Sequence, residues 1–283
     1  MFTTLISAAE LAARAAGSVV LIDCRHQLTD TDYGRRAYAA GHVPGAHFLH
    51  LDEDLSGPRT GDNGRHPLPD VGRLALTLGA LGIGPDTQVV AYDDAGGMFA
   101  ARAWWLLRWL GHEAVAVLDG GVQAWQAAGG ALDAVTPARG NGGFLLRPTL
   151  EATLNADQLL ALLAAPTLRL IDARAANRFA GQDETLDPVG GHIPGARNRF
   201  FQLNLDTDGR FKPAAALRAE WLACLDGQPA SAAIHQCGSG VTACHNLLAL
   251  AHAGLGGGRL YPGSWSEWCA NPARPVAVGA AEH

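Results

Sequence analysis

Gly41-His42-Val43-Pro44-Gly45-Ala46 returns later in the chain as Gly191-His192-Ile193-Pro194-Gly195-Ala196. Glycine and proline make turns, and one such turn would mean little; the same turn twice in 283 residues reads as the repeat of a whole domain. Working outward, the segments before the two copies also pair, Leu21-Ile22-Asp23-Cys24-Arg25 with Leu170-Ile171-Asp172-Ala173-Arg174. So do the segments after them, Asp119-Gly120-Gly121-Val122-Gln123-Ala124-Trp125 with Pro262-Gly263-Ser264-Trp265-Ser266-Glu267-Trp268. Two similar domains are expected, residues 1–130 and 151–283, each long enough to bury its own core. Residues 131–150 are expected to link them, because this stretch is rich in Gly, Pro and Ala and has no helical period.

Within the first half, Ser7 and Glu10 form a capping box for a short helix, and residues 19–22 read as a buried strand. Asp70 caps a helix carrying Val71, Leu74, Leu78 and Leu81, which Gly82 and Pro85 end. A strand at 88–92, a helix at 97–110, a strand at 114–118 and a short helix ending near Gly129 follow. The second half repeats the plan, with strands near 168–172, 232–236 and 259–261. Strands alternating with helices predict an α/β fold, each domain a mostly parallel sheet flanked by helices. His42 and His192 stand in both turns and are read as structural hydrogen-bonders; Trp125 and Trp268 are read as packing residues.

One stretch is not repeated. Cys237-Gly238-Ser239-Gly240-Val241-Thr242-Ala243 follows a strand-like run, Ala232-Ala233-Ile234, and leads into an apolar pattern at Val241, Cys244, Leu248 and Ala251 with helical spacing. The cysteine is therefore expected on a strand-to-helix turn. Two glycines let the backbone curl so that amide N–H groups converge on the sulfur. A helix N-terminus favours an anion, which is how a nucleophilic thiolate is made. Cys24, Cys224 and Cys269 lack such neighbours and are read as small core hydrophobes. Aligning the halves on 119–125 and 262–268 puts Asp94 opposite Cys237, so thiolate chemistry belongs to the second half alone.

A formal net charge of −6 without a Lys/Arg block argues against nucleic-acid or anionic-membrane partners. No apolar run is long enough to span a membrane. The first residues lack a basic n-region and are followed by Glu10 and Arg14, so no signal peptide is expected. Five cysteines without framework spacing fit a reducing compartment, the cytoplasm by default, and no Cys/His cluster has zinc spacing, so neither metal nor cofactor is expected.

The paired Gly-His-(Val/Ile)-Pro-Gly-Ala turns, the cysteine loop and Tyr261-Pro262-Gly263-Ser264-Trp265-Ser266-Glu267-Trp268 together resemble tandem-domain rhodanese sulfurtransferases over nearly the whole chain. The resemblance is nearest to the 3-mercaptopyruvate sulfurtransferase branch, because thiosulfate-using relatives carry a basic residue just after the cysteine, where this chain has Gly238 and Ser239. It implies an inactive first domain and a second domain that moves sulfur from 3-mercaptopyruvate, or alternatively thiosulfate, through a Cys237 persulfide to a thioredoxin-like thiol or cyanide. It further implies that Gly238, Gly240, Val241 and Thr242 line the donor site. Arg178 matches an arginine that binds the substrate carboxylate, a task suited to a bidentate guanidinium. Asp52, His66 and Ser239 fall where the branch has a proton relay. Thr185 stands where these enzymes carry a second substrate arginine, and Arg197 and Arg199 are the nearby candidates to replace it.

Two rival readings use the same cysteine. A phosphatase of similar fold needs an arginine six residues after the nucleophile, and that position is Ala243. A redox-sensing or sulfur-carrying module would oxidise Cys237 or pair it with Cys244, which requires the turn to unwind.

Overall fold

The computed structural model describes residues 1–14, 17–165 and 167–280. It contains two five-stranded sheets in which every pairing is parallel. The first comprises β1 (Leu5–Ile6), β2 (Val19–Asp23), β3 (Ala46–Phe48), β4 (Gln88–Tyr92) and β5 (Val115–Leu118), in the order β1-β5-β4-β2-β3. The second comprises β6 (Ala152–Thr153), β7 (Arg169–Asp172), β8 (Ala196–Asn198), β9 (Ala233–Gln236) and β10 (Arg259–Leu260), in the matching order β6-β10-β9-β7-β8. The expected α/β class and the duplicated parallel sheet are thus present. The long central strands fall where their apolar runs predict; the outer strands of two or three residues are too short to show a period.

Strands β4 and β9 are buried along their whole length, as a parallel sheet covered on both faces requires. Each feeds a helix that is buried nearly all round. Ala100–Trp109 sinks Trp104, Trp105, Leu106 and Leu107, and Thr242–His252 sinks every residue from Thr242 to Leu250. Each fully buried leucine contributes about 1.5–3 kcal/mol, so these helices are fixed by packing. Elsewhere local signals set the ends: Ser7 and Glu10 form the expected capping box, and Asp70 accepts the Arg73 N–H at 2.8 Å.

The repeated turns are framework in both halves. Arg25 forks onto Asp23 and donates to the Gly41 carbonyl at 2.7 Å; Arg174 forks onto Asp172 and donates to the Gly191 carbonyl at 2.7 Å. The histidine after each glycine stacks on an aromatic ring, His42 on Tyr38 and His192 on Phe179, and bonds a backbone carbonyl through Nδ1. Trp125 and Trp268 donate their indole N–H to Ala131 and Pro275 carbonyls.

The chain divides into two compact units whose boundaries exchange two segments. Unit 1 is Met1–Gly57, Pro69–Leu150 and Asp206–Phe211; unit 2 is Pro58–Leu68, Glu151–Leu205 and Lys212–His283. Residues 140–150 run along unit 1, with Gly140 and Gly142 donating to Ala80 and Gly79. No helix among the described residues is long and apolar enough to cross a membrane.

His235, inside β9, is wholly buried, and neither ring nitrogen has a hydrogen-bond partner among the described residues. Burial pushes its pKa down to about 3. The unfolded chain therefore binds a proton between about pH 3 and 6.5 that the folded chain refuses, and stability falls with pH across that window by up to about 1.4 kcal/mol per unit. Urea titrations of His235→Leu should show a flatter decline below pH 6.5 than wild type, with a difference of less than about 1.5 kcal/mol at pH 7.5; parallel curves would contradict this.

Candidate active site

At the end of β9 the chain turns at Cys237, which is 2% exposed. Its N–H donates to Ser264 Oγ at 3.1 Å, and that hydroxyl donates to the Tyr261 carbonyl at 2.9 Å. The carbonyls of Cys237 and Gly238 accept N–H groups from Trp265 and Ser266 at 3.0 and 2.9 Å. The backbone on both sides of the sulfur is therefore pinned to the segment after β10. Gly240 N–H donates to Cys237 Sγ at 3.1 Å. Gly240 has φ +77°, and a Cβ there would stand 2.3 Å from the Pro262 carbonyl oxygen, so glycine is what allows this N–H to face the sulfur. Val241 and Thr242 are buried at the start of the following helix. Cys244 is occupied otherwise, its thiol donating to the Gly240 carbonyl at 3.3 Å.

The first unit has the same loop with a different occupant. Asp23 is in register with Tyr92 and Asp172 with Gln236, and Val122 N–H donates to Asp93 O as Trp265 N–H donates to Cys237 O. The residue opposite Cys237 is thus Asp93, one position before the Asp94 expected from sequence. Asp93 is wholly buried, and its carboxylate accepts N–H groups from Ala95, Gly97, Phe99 and Ala100 at 2.7–2.9 Å. Burial pushes its carboxyl up against the pull of those four donors.

His66 and Ser239 meet. His66 Nδ1 lies 2.7 Å from Ser239 Oγ, both side chains buried. The loop that carries His66, Pro58–Leu68, belongs to the second compact unit despite its place in the first half of the chain. Asp52 belongs to the first unit, its carboxylate 3.9 Å from His26 Nε2 and its N–H donating to His50 Nδ1.

Arg178 stands beside the loop. It is held by Glu184, which takes Nε at 3.2 Å and Nη2 at 2.9 Å, and by Asp187 at 3.3 Å. Burial works against the Glu184 carboxylate, but the Leu186 N–H and the Arg178 guanidinium hold it below the usual range. Asp187 is pushed up, first by burial and then by Glu184, although Arg65 and Arg178 oppose this. Thr185 is exposed. The expected substitutes for the missing arginine are engaged elsewhere: Arg197 bonds Asp226 and the Cys224 carbonyl, and Arg199 bonds Glu220 and lies over Trp221. Arg174, fully enclosed, is kept charged against burial by Asp172 and by the Cys237 sulfur.

A rhodanese-like domain is recognised twice along the sequence, at residues 7–128 and 155–271. The chain belongs to the rhodanese family. It is 51% identical over 278 residues to a probable 3-mercaptopyruvate sulfurtransferase of Pseudomonas aeruginosa, covering 97% of this chain and 98% of that one. It is 42% identical over 286 residues to a putative thiosulfate sulfurtransferase, SseB, of Mycobacterium tuberculosis, covering 98% of both. Among solved structures it resembles the 3-mercaptopyruvate sulfotransferase SseA from Escherichia coli, with TM-score 0.80 and 32% identity over 94% of this chain and 100% of that one.

Sequence reasoning missed Ser264, Arg65, Glu184 and Asp187 in this rhodanese. Ser264 had a signal, since it follows the glycine that closes the turn and adopts a left-handed φ of 54°. Its hydroxyl is the acceptor for the Cys237 N–H, and a buried N–H left without a partner costs about 1–3 kcal/mol. Ser264→Ala should lower the unfolding free energy by that amount, read as a lower urea midpoint at an unchanged m-value; an unaltered midpoint would show that the serine does not hold the loop.

Proposed function

We propose that this sulfurtransferase takes sulfur from 3-mercaptopyruvate and passes it, as a Cys237 persulfide, to a thioredoxin-like thiol or to cyanide. In the first half-reaction the Cys237 thiolate attacks the donor's thiol sulfur. The carbon–sulfur bond breaks, its electron pair stays on the methylene carbon as the pyruvate enolate, and the thiol proton moves to that carbon. Pyruvate leaves, and the cysteine keeps Cys–S–S⁻. An acceptor thiolate or cyanide then attacks the outer sulfur and restores the Cys237 thiolate.

The observation that carries the choice of donor is the 2.7 Å pair of His66 and Ser239 beside the cysteine loop. A mercaptan donor requires a proton to move from sulfur to carbon, which a histidine with a hydroxyl can do; thiosulfate, which leaves as sulfite, requires none. Asp52 completes this relay in the proposal as the acidic member. Loop amides receive the developing negative sulfur, and the Gly240 N–H already points at Sγ. Arg178 receives the donor carboxylate, and Gly238, Gly240, Val241 and Thr242 wall the site. The first domain is inactive because Asp93 fills the position of the nucleophile. Small anionic donors suit such a site, without nucleic acid or membrane, and five free cysteines suit the reducing cytoplasm.

Thiosulfate is the second reading, favoured by the exposed Thr185 in place of an arginine and by the resemblance to a putative thiosulfate enzyme. Two experiments decide. Incubation with 3-mercaptopyruvate should add one sulfur, about 32 Da, to the wild-type protein and nothing to Cys237→Ser; an unmodified wild type would end the proposal. His66→Gln should lower kcat/KM for 3-mercaptopyruvate by about 10²–10⁴-fold and leave thiosulfate turnover within a few-fold. Equal losses with both donors would remove the proton-transfer role from His66.

A further inference from the structure

We infer that the first unit carries a ligand site of its own, a pocket for an aliphatic carboxylate formed by β2 and the helices Ala8–Ala12 and Gly121–Ala127. The inference is independent of the sulfur chemistry at Cys237. The pocket measures about 450 Å³ and lies wholly within the first unit, in the size class of small-molecule sites, about 300–1,000 Å³. Leu11, Val19, Leu21, Val43 and Trp125 wall it. Among the described lining residues, Arg14 is the one that carries a charge.

The second unit shows what fills the same place when the chain itself supplies it. Asn155 and Gln158 form a capping box as Ser7 and Glu10 do, which puts Leu162 where the first unit has Arg14. The matching strand ends, Asp23 and Asp172, make Leu168 the counterpart of Val19. Leu162, Leu163 and Leu168 pack against a core that includes Leu159, Leu170, Ile193 and Trp268, and Trp268 is wholly buried. Trp125, its counterpart, is only half-buried. Aliphatic side chains therefore complete the frame in one unit, and in the other an arginine and a smaller valine leave that volume open.

Arg14 sets the polar end of the ligand. Its guanidinium lies over the Phe2 ring, 4.9 Å from the centroid, a contact that uses the face of the group and spares its N–H edges. Glu10 is held below the usual carboxylate range by its hydrogen bonds with Ser7 and, to a lesser degree, by Arg14. Its carboxylate is turned to the Ser7 hydroxyl and N–H, at 2.6 and 2.9 Å. Among the described residues, no hydrogen bond or ion pair engages Arg14. A carboxylate takes two parallel N–H groups from one guanidinium edge, and an unbranched chain of about eight carbons takes the place that leucines hold in the second unit. A ligand polar along its length would bury groups that Leu11, Leu21 and Val43 cannot satisfy.

Octanoate and its neutral analogue octanamide, titrated into the full-length protein by isothermal calorimetry, test the site. Wild type should bind octanoate saturably with Kd below about 1 mM, and octanamide about tenfold more weakly, the worth of one charged hydrogen bond. Arg14→Gln should weaken octanoate about tenfold and leave octanamide within about twofold. Because both ligands are read on one preparation, a general loosening of the unit cancels in their ratio. Val19→Leu, which moves the wall toward its second-unit counterpart, should weaken both ligands about fourfold, the equivalent of one methylene of burial. Arg14→Leu combined with Val19→Leu should abolish both, with sulfur transfer to cyanide unchanged. A wild type that shows no saturation by about 5 mM octanoate overturns the inference, and so does an Arg14→Gln variant that loses both ligands equally. A dimer in sedimentation velocity that the double substitution dissociates, with no octanoate bound, assigns the face to a second copy and overturns it as well.

Discussion

A chain that leaves a central parallel strand and enters a helix carries N–H groups that neither sheet nor helix can satisfy, and both units of this protein are arranged around what those groups bind. In the first unit they close on the Asp93 carboxylate, four donors onto one buried anion. In the second, the same position is a sulfur that receives the Gly240 N–H. The duplicated frame therefore contains its own comparison: where the carboxylate is a permanent part of the chain, the loop is filled. Where its place is taken by a sulfur atom, the loop is left to hold whatever negative charge chemistry brings.

The buried ion pairs explain why the Gly-His turn occurs in both halves although the Cys237 loop sequence does not. Each arginine two residues beyond a central strand end bonds the aspartate at that end and the carbonyl of the turn glycine. Removing one partner of such a pair would leave an uncompensated buried charge, a loss of about 3–5 kcal/mol. In the second unit the pair also faces the site, since Arg174 lies over Trp265 and interacts with the Cys237 sulfur. Framework and chemistry are joined there through one guanidinium.

The repeat and Cys237 were legible because their signals are local: a long period, paired turns, and glycines followed by helical spacing. Their limits are equally physical. The first unit holds one more residue than the second between strand end and glycine turn, Tyr92 to Val122 against Gln236 to Trp265, so an alignment fixed on the later landmark slips onto Asp94. The outer strands are too short to carry a period. Arg197 and Arg199 are close to Thr185 in sequence, but strand β8 directs them to Asp226 and Glu220. Arg65 is far from Arg178 in sequence and close in space, and no periodicity encodes that.

The exchange of segments gives the first half a reason to persist. A chain cut at residue 151 would keep Cys237, Ser239 and Arg178 but lose Pro58–Leu68, and with it His66 and Arg65. Cys237 would retain its glycine loop, yet the histidine against Ser239 and the Arg65 guanidinium near Gly238 would be gone. Asp206–Phe211 is traded in the opposite direction, with Phe211 N–H donating to Asp119 at 2.8 Å in the first unit. The segment that carries His66 and Arg65 comes from the first half of the sequence but folds with the second unit, so the surroundings of Cys237 are drawn from both halves of the chain and a cut between the halves removes part of them.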